Sequence, residues 1–289
     1  AALGAVDFLM WVVTGISTGL TQGFSIQLSQ YYGAKDFENL RKSLAHSYRL
    51  TAFIAAGVLI LSQSFASLVL TGLHTPSNII GMSLLYLRII FCGIPATAAY
   101  NMFASALRAM GNSKTPLTAM IIASVLNVSL DILFVAGFGW GVAGAAIATV
   151  IAQSFSAIYC FLILRRIDIV HLTRADFMPA SGMNARLMKL GIPVVFQNII
   201  IGVGGLVVQY VINGYGFLFV AGFTATNKLY GLLEMAAISY GYAIVTYVGQ
   251  NLGAGKIDRI RKGVRSSMLL SLLTSLIISA AMFLFGKNI

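Results

Sequence analysis

Eight apolar runs, each long enough to cross a lipid bilayer, divide this chain from end to end. They fall at roughly 5–31, 48–72, 79–107, 117–138, 141–164, 187–213, 217–249 and 264–286. A helix needs about 20 apolar residues to traverse the hydrocarbon core. Lipid offers no water to an open backbone, so each run is expected to be helical. A membrane β-barrel would instead show alternating segments of about ten residues, and the sequence has none. The expected fold class is therefore all-α, a polytopic bundle of transmembrane helices.

The charges support that count. Only 9% of residues are charged, against roughly 25% in a soluble domain. Of the 19 lysines and arginines, 16 fall in every second loop. The first such loop carries Lys35, Arg41, Lys42 and Arg49, the third Arg108 and Lys114. The fifth has Arg165, Arg166, Arg174, Arg186 and Lys189, and the seventh Lys256, Arg259, Arg261, Lys262 and Arg265. The intervening loops, around His74 to Asn78, Gly139 and Asn213 to Gly216, have none. One missed helix would scramble this alternation. By the positive-inside rule the basic loops are expected to be cytoplasmic. The net charge of +11 is thus a topology signal, and no nucleic-acid partner is expected. Cys92 and Cys160 lie inside apolar runs, so neither a disulfide framework nor a metal spacing is present. There is no nucleotide loop and no HExxH motif, and the chain is not expected to be an enzyme.

A repeat gives the organisation. Gln30-Tyr-Tyr-Gly33-Ala34 followed by Arg41-Lys42 recurs as Gln250-Asn-Leu-Gly253-Ala254 followed by Arg261-Lys262, at a constant offset of 220 residues. Both copies follow a long helix and lie six helices apart, hence in the same orientation. That pattern predicts a parallel repeat of six helices and a whole protein of about 440 residues and twelve helices. The chain begins at Ala1, almost within an apolar run, and stops just after another. It reads as a piece of that longer protein. The expected division is an N-terminal lobe over 1–165, an inter-lobe linker over 166–186 and the first three helices of a second lobe over 187–289.

Charges inside a bilayer are costly and call for a reason. Four lie within runs: Arg88, Asp131, Lys228 and Glu234. Asp131 is near mid-segment, and Asn127 four residues earlier shares its helix face. A carboxylate beside an amide can hold a proton or a sodium ion, since desolvation raises its pKa; the alternative is a structural hydrogen bond between helices. In the next helix Gly144, Ala148 and Ala152 recur every fourth residue, a spacing for close backbone packing. Thr149 either faces Asp131 or bonds its own helix. Glu234 either binds a cation or pairs with another helix. Arg88 pairs with a carboxylate or snorkels, and Tyr86 alone reads as an interfacial aromatic. Gly93 with Pro95 and Gly191 with Pro193 are expected to bend or interrupt their helices.

Several motifs resemble the multidrug and toxic compound extrusion (MATE) family. They are Gly33-Ala34, Ala109-Met-Gly111-Asn-Ser-Lys114-Thr-Pro116, Asn127-x-x-x-Asp131, Gly139-Trp-Gly141-Val-Ala-Gly144-Ala-Ala-Ile-Ala-Thr149 and Gly249-Gln250-Asn-Leu-Gly253-Ala-Gly255-Lys256. The resemblance covers the whole chain and is closest to the small bacterial drug exporters. It implies two pseudo-symmetric six-helix lobes, of which this chain supplies about helices 2 to 9, eight in all. It also implies a monomer in the plasma membrane that exports cationic or amphipathic drugs, driven by inward proton or sodium flow, with no cofactor beyond the coupling ion. In some members an ion site joins a helix-one aspartate to a helix-four tyrosine, a helix-five Asn and Asp and a helix-six threonine. The matching positions here are Tyr86, Asn127, Asp131 and Thr149. Other members use a helix-seven glutamate for sodium; here that region holds Gln197 and Asn198 and no acid. Glu234, on helix eight, matches neither pattern. A lipid-linked precursor flippase of the wider superfamily is the alternative. Such a cavity should be basic, whereas Asp131 and Glu234 suit cations.

Overall fold

In the computed structural model, residues 2–72, 77–215 and 217–285 are described, while some helix side chains, those of Asp7, Lys228 and Glu234 among them, lie outside the description. The chain is built from α1 (Ala2–Ala34), α2 (Phe37–Gly72), α3 (Ser77–Cys92), α4 (Ile94–Ala109), α5 (Lys114–Asp131), α6 (Gly141–Arg165), α7 (Met183–Asn213), α8 (Phe217–Gly253) and α9 (Ile257–Phe285). No strand occurs among the described residues. Among the described residues, five stretches are long and apolar enough to cross a membrane: Phe37–Thr71, Lys114–Gly137, Gly141–Arg165, Met183–Ile212 and Ile257–Leu284. The bent pair Ile80–Cys92 and Ile94–Ala109 makes a sixth. The remaining expected spans, 5–31 and 217–249, lie within α1 and α8, which are unbroken helices of 33 and 37 residues. At 1.5 Å per residue each is about 50 Å long or more.

Hydropathy marks where lipid begins, not where a helix begins. Run two was expected from residue 48, yet α2 starts at Phe37. Asp36 is the reason: its Oδ1 accepts from the Asn39 backbone N–H at 3.1 Å, and its carbonyl accepts from Leu40 N–H at 3.0 Å. This is an N-cap, which satisfies donors that a helix start would otherwise leave open. Arg41, Lys42 and Arg49 therefore ride on a helix extension and not on a loop. α9 likewise starts at Ile257 and carries Arg259, Arg261, Lys262 and Arg265 in its first turns.

The third run is broken as expected. α3 and α4 meet at 41° across Gly93. Pro95 has no N–H to donate, and Gly93 lies so near α6 that a Cβ there would meet Val150 Cγ2 at 2.7 Å. At Gly191 and Pro193 the helix is not interrupted. α7 continues through Pro193. Gly191 instead permits contact, since a Cβ there would meet Leu20 and Phe24 of α1 at 3.0 and 3.2 Å.

The segment between α6 and α7 is folded onto α2. Short 3-10 turns occupy Asp168–Val170 and Arg174–Phe177. Thr173 donates to Asp176 Oδ2 through its N–H (2.7 Å) and its hydroxyl (2.8 Å), closing a capping box. Arg41 Nε reaches Asp176 Oδ1 at 3.7 Å, and Arg49 Nη1 donates to the Phe177 carbonyl at 2.9 Å. His46 Nε2 lies 3.1 Å from the Met178 carbonyl.

The largest core cluster joins α1, α2, α4, α5, α6 and α7 around Phe24, Leu28, Leu44, Leu107 and Leu187. A second holds Val13, Leu87, Phe91 and Ala98. α1 is the seam of the molecule: it packs along α2 and α4 on one side and along α7 and α8 on the other.

Candidate functional site

Asp131 is the last residue of α5, and the next turn, Ile132–Gly137, is a π-helix. Phe138 N–H accordingly bonds the Leu133 carbonyl at 2.9 Å, five residues back. Such turns insert an extra residue into a helix and recur at functional sites. Gly144 of α6 presses on this turn; a Cβ there would come within 2.9 Å of Phe134 Cβ. Ala148 and Ala152, one and two turns on, are buried, so the small residues do serve close packing of α6 on α5.

That packing brings Asn127 Nδ2 to 3.5 Å from Thr149 Oγ1, the outer limit of hydrogen bonding. Thr149 also donates to the Ala145 carbonyl of its own helix at 3.0 Å, and its contact across the helices is with Asn127. Asp131, on the face of Asn127, is half-buried. Its Oδ1 is fully shielded and has no hydrogen-bond partner among the described residues. A shielded oxygen without a donor is an open acceptor position in this wall. Tyr86 is half-buried on α3, packed against the second core cluster, and α3 lies along α6. Arg88 is exposed, and its carbonyl accepts from Gln63 Nε2 at 2.9 Å. The Glu234 side chain lies outside the described residues, so its expected role is neither placed nor removed.

A second feature went unread in the sequence. Gly15, Gly19 and Gly23 recur every fourth residue on α1 and form the seam with α7. Asn198 Nδ2 donates to the Gly15 carbonyl at 3.1 Å, and Gly23 touches the backbone of Gly191. Small residues at that spacing are the usual signal for helices in close contact. Beside the seam lies a cleft of about 460 Å³ between α1, α7 and α8. Its polar walls are Thr14, Thr18, Gln22, Gln197, Asn198 and Tyr242. All are neutral, so the site can recognise a ligand by hydrogen bonds and aromatic contact.

The cleft is shut at the end that carries the basic loops. There the two copies of the repeat meet each other. Gly33 lies on the Gln250 backbone, Gly253 on the Gln30 backbone, and Gly249 on Ser29. Since 29, 30 and 33 correspond to 249, 250 and 253, this is the reciprocal pattern of a two-fold interface, residue i on j and j on i. Gln250 Nε2 donates to the Ala109 carbonyl at 2.8 Å, and the Arg108 guanidinium stands 4.8 Å from the centre of the Tyr242 ring. A Cβ on Gly33 or Gly253 would overlap backbone atoms of the other copy.

Comparison with known proteins agrees with this architecture. The family profile MatE matches residues 1–133 and 193–289. The probable multidrug resistance protein YoeA of Bacillus subtilis is 26% identical over 297 residues, covering 100% of this chain and 64% of its own length. The probable multidrug resistance protein YpnP of the same organism is 32% identical over 262 residues, covering 90% of this chain and 59% of its own. The chain thus spans less than two thirds of the length of these relatives. Among solved structures, an outward-facing multidrug resistance MATE transporter of the MOP superfamily aligns with TM-score 0.90 at 20% identity, over 100% of this chain and 64% of the other. A MOP superfamily transporter from Pyrococcus furiosus, described as having a binding pocket of reverse polarity, aligns with TM-score 0.90 at 19% identity, over 99% and 64%. At these identities the likeness shows a shared fold. With its apolar helices, its helical architecture and the profile match over most of its length, the chain belongs to the MatE family of multi-pass membrane transporters.

Proposed function

We propose that this chain is the greater part of a cation-coupled antiporter that exports cationic or amphipathic compounds by alternating access. The observation that carries the reading is Asp131, whose shielded Oδ1 lacks a donor beside the Asn127–Thr149 pair. A carboxylate beside an amide can hold a proton or a sodium ion. Once neutralised it no longer attracts a cationic substrate, so the two compete and influx of one drives efflux of the other. Residues 1–165 are read as one lobe, 166–186 as the linker and 187–289 as part of the second. The cleft along α1, α7 and α8 is the substrate path. The closed contact at Gly33 and Gly253 is one gate of the cycle, and the basic loops face the cytoplasm of a cell whose plasma membrane holds the protein.

The flippase alternative calls for cationic side chains in the cleft, and the described residues lining it are neutral. The experiment is efflux of a fluorescent organic cation by the full-length transporter in proteoliposomes, with an imposed proton or sodium gradient. Accumulation against the cation gradient, abolished by an ionophore for the driving ion, is expected. Transport indifferent to both gradients would refute the coupled reading.

A further inference from the structure

At its closed end the cleft meets an aromatic ring. Tyr242 is the one aromatic side chain among the described residues that line the cleft. α8 runs toward the basic-loop end, and of its lining residues Ile238, Gly241 and Tyr242 the last stands nearest that end. Arg108, in the last turn of α4, holds its guanidinium 4.8 Å from the centre of the same ring. That is well inside the range of a cation–π contact. Arg108 does not itself line the cleft. Tyr242 therefore borders the cleft and a positive charge at once.

Two further observations define this charge. Among the described residues Arg108 has no ion pair; its hydrogen bond goes to the Ser105 hydroxyl, one turn back, at 3.4 Å. No described carboxylate neutralises it. The stack also belongs to the closed crossing, because the next residue, Ala109, accepts from Gln250 Nε2, two turns beyond Tyr242 on α8. A ligand cation on the Tyr242 ring, on either face, would stand within about 11 Å of the guanidinium, which lies 4.8 Å from the ring centre, since a cation–π contact reaches about 6 Å. Like charges that close repel, and a site with little water screens them weakly. The ring thus serves one cation at a time.

We propose that Tyr242 is the recognition ring for an organic cation in the cleft and that Arg108 is the charge that displaces it. With the basic-loop end open, Arg108 is withdrawn and the ring is available to the ligand. Closing that end brings Arg108 onto the ring and loosens the hold on the cation, which then leaves by the other end. Binding is tight on the cytoplasmic side and weak on the far side, the asymmetry that export requires. By linkage, the bound cation in turn favours the open end. The inference rests on the reading of the cleft as the path of cationic substrates.

The test is equilibrium binding of tetraphenylphosphonium to the full-length transporter in detergent. Arg108→Gln should tighten binding about two- to fivefold, the worth of one exposed cation–π contact. Arg108→Lys keeps the charge and should bind as wild type does. Tyr242→Phe keeps the ring and should also match wild type, while Tyr242→Leu should weaken binding by about two- to fivefold. Arg108→Gln added to Tyr242→Leu should then change little, since both act through one ring. Spin labels at Lys35 and Lys256 in otherwise wild-type protein should move apart when tetraphenylphosphonium saturates the site. An affinity unchanged in Arg108→Gln, an equal tightening with and without the ring, or labels that do not separate would each overturn the inference. If wild type still carries out coupled efflux of the cation, the antiporter reading survives that result. Failure of wild type to bind the cation would overturn both.

Discussion

Asp131→Asn in the full-length transporter is expected to lower gradient-driven efflux by roughly 5–150-fold, the range that corresponds to a coupling free energy of about 1–3 kcal/mol. The amide keeps the size of the side chain and its capacity to accept a hydrogen bond, but it neither ionises nor takes up a proton. Asn127 would still lie at 3.5 Å from Thr149, so the packing of α5 on α6 should persist. Membrane abundance and melting temperature should stay near wild type or rise slightly, since the unpartnered position no longer carries a charge. A purely structural aspartate predicts the opposite pair of results, transport retained and stability lowered. Efflux measured at equal protein abundance separates the two.

Gly33→Val is expected to open the basic-loop end of the molecule. A Cβ at Gly33 would overlap the backbone of Gln250, and backbone on backbone has no rotamer by which to relax. Overpacking typically costs about 1–3 kcal/mol and occasionally more; this crossing belongs at the upper end. The cost falls on the closed arrangement alone, so the equilibrium should shift toward states in which the two repeat copies are apart. Spin labels at Lys35 and Lys256, in the turns that follow the two copies, should move apart in Gly33→Val relative to wild type. Gly253→Val should do the same, because it removes the reciprocal contact with Gln30. The double variant should add little, as both changes break one crossing. An unchanged label distance in either single variant would show that the crossing does not hold this end shut.

What the sequence disclosed follows from where the physics is strong. Lipid forces apolar runs into helices, and charge bias alternates loops, so the helix order could be read directly. The break at Gly93 and Pro95 was legible because proline removes a donor. At Pro193 the helix is not interrupted, since α7 runs on through it. The start of α2 was misplaced by eleven residues because its first turns stand among charged residues that hydropathy assigns to a loop. The repeat was visible as recurring letters, but nothing in those letters says that Gly33 lies on Gln250 and Gly253 on Gln30, contacts that span 217 and 223 positions. The neutral cleft was hidden for a related reason. Gln197 and Asn198 are uncharged and so carry no cost that marks them in an apolar run, and the Gly15, Gly19 and Gly23 row signals close packing without naming Asn198 as its partner. The spacing of Gly144 and Ala148 pointed to close packing of α6, and that packing brings Thr149 to Asn127. The π turn after Asp131 could not be foreseen, because one inserted residue near a helix end leaves helical periodicity nearly unchanged.

The exchange of charge at Asp131 is measured most directly by counting the protons or sodium ions released when a cationic ligand binds. Calorimetry of the detergent-solubilised full-length transporter, in buffers of different ionisation enthalpy and without sodium, reports proton release; displacement of radioactive sodium reports the other ion. Wild type should release one such ion for each ligand bound, and Asp131→Asn should release none. Ligand binding with no release of either ion from wild type, or equal release from Asp131→Asn, would contradict the assignment of Asp131 as the coupling carboxylate.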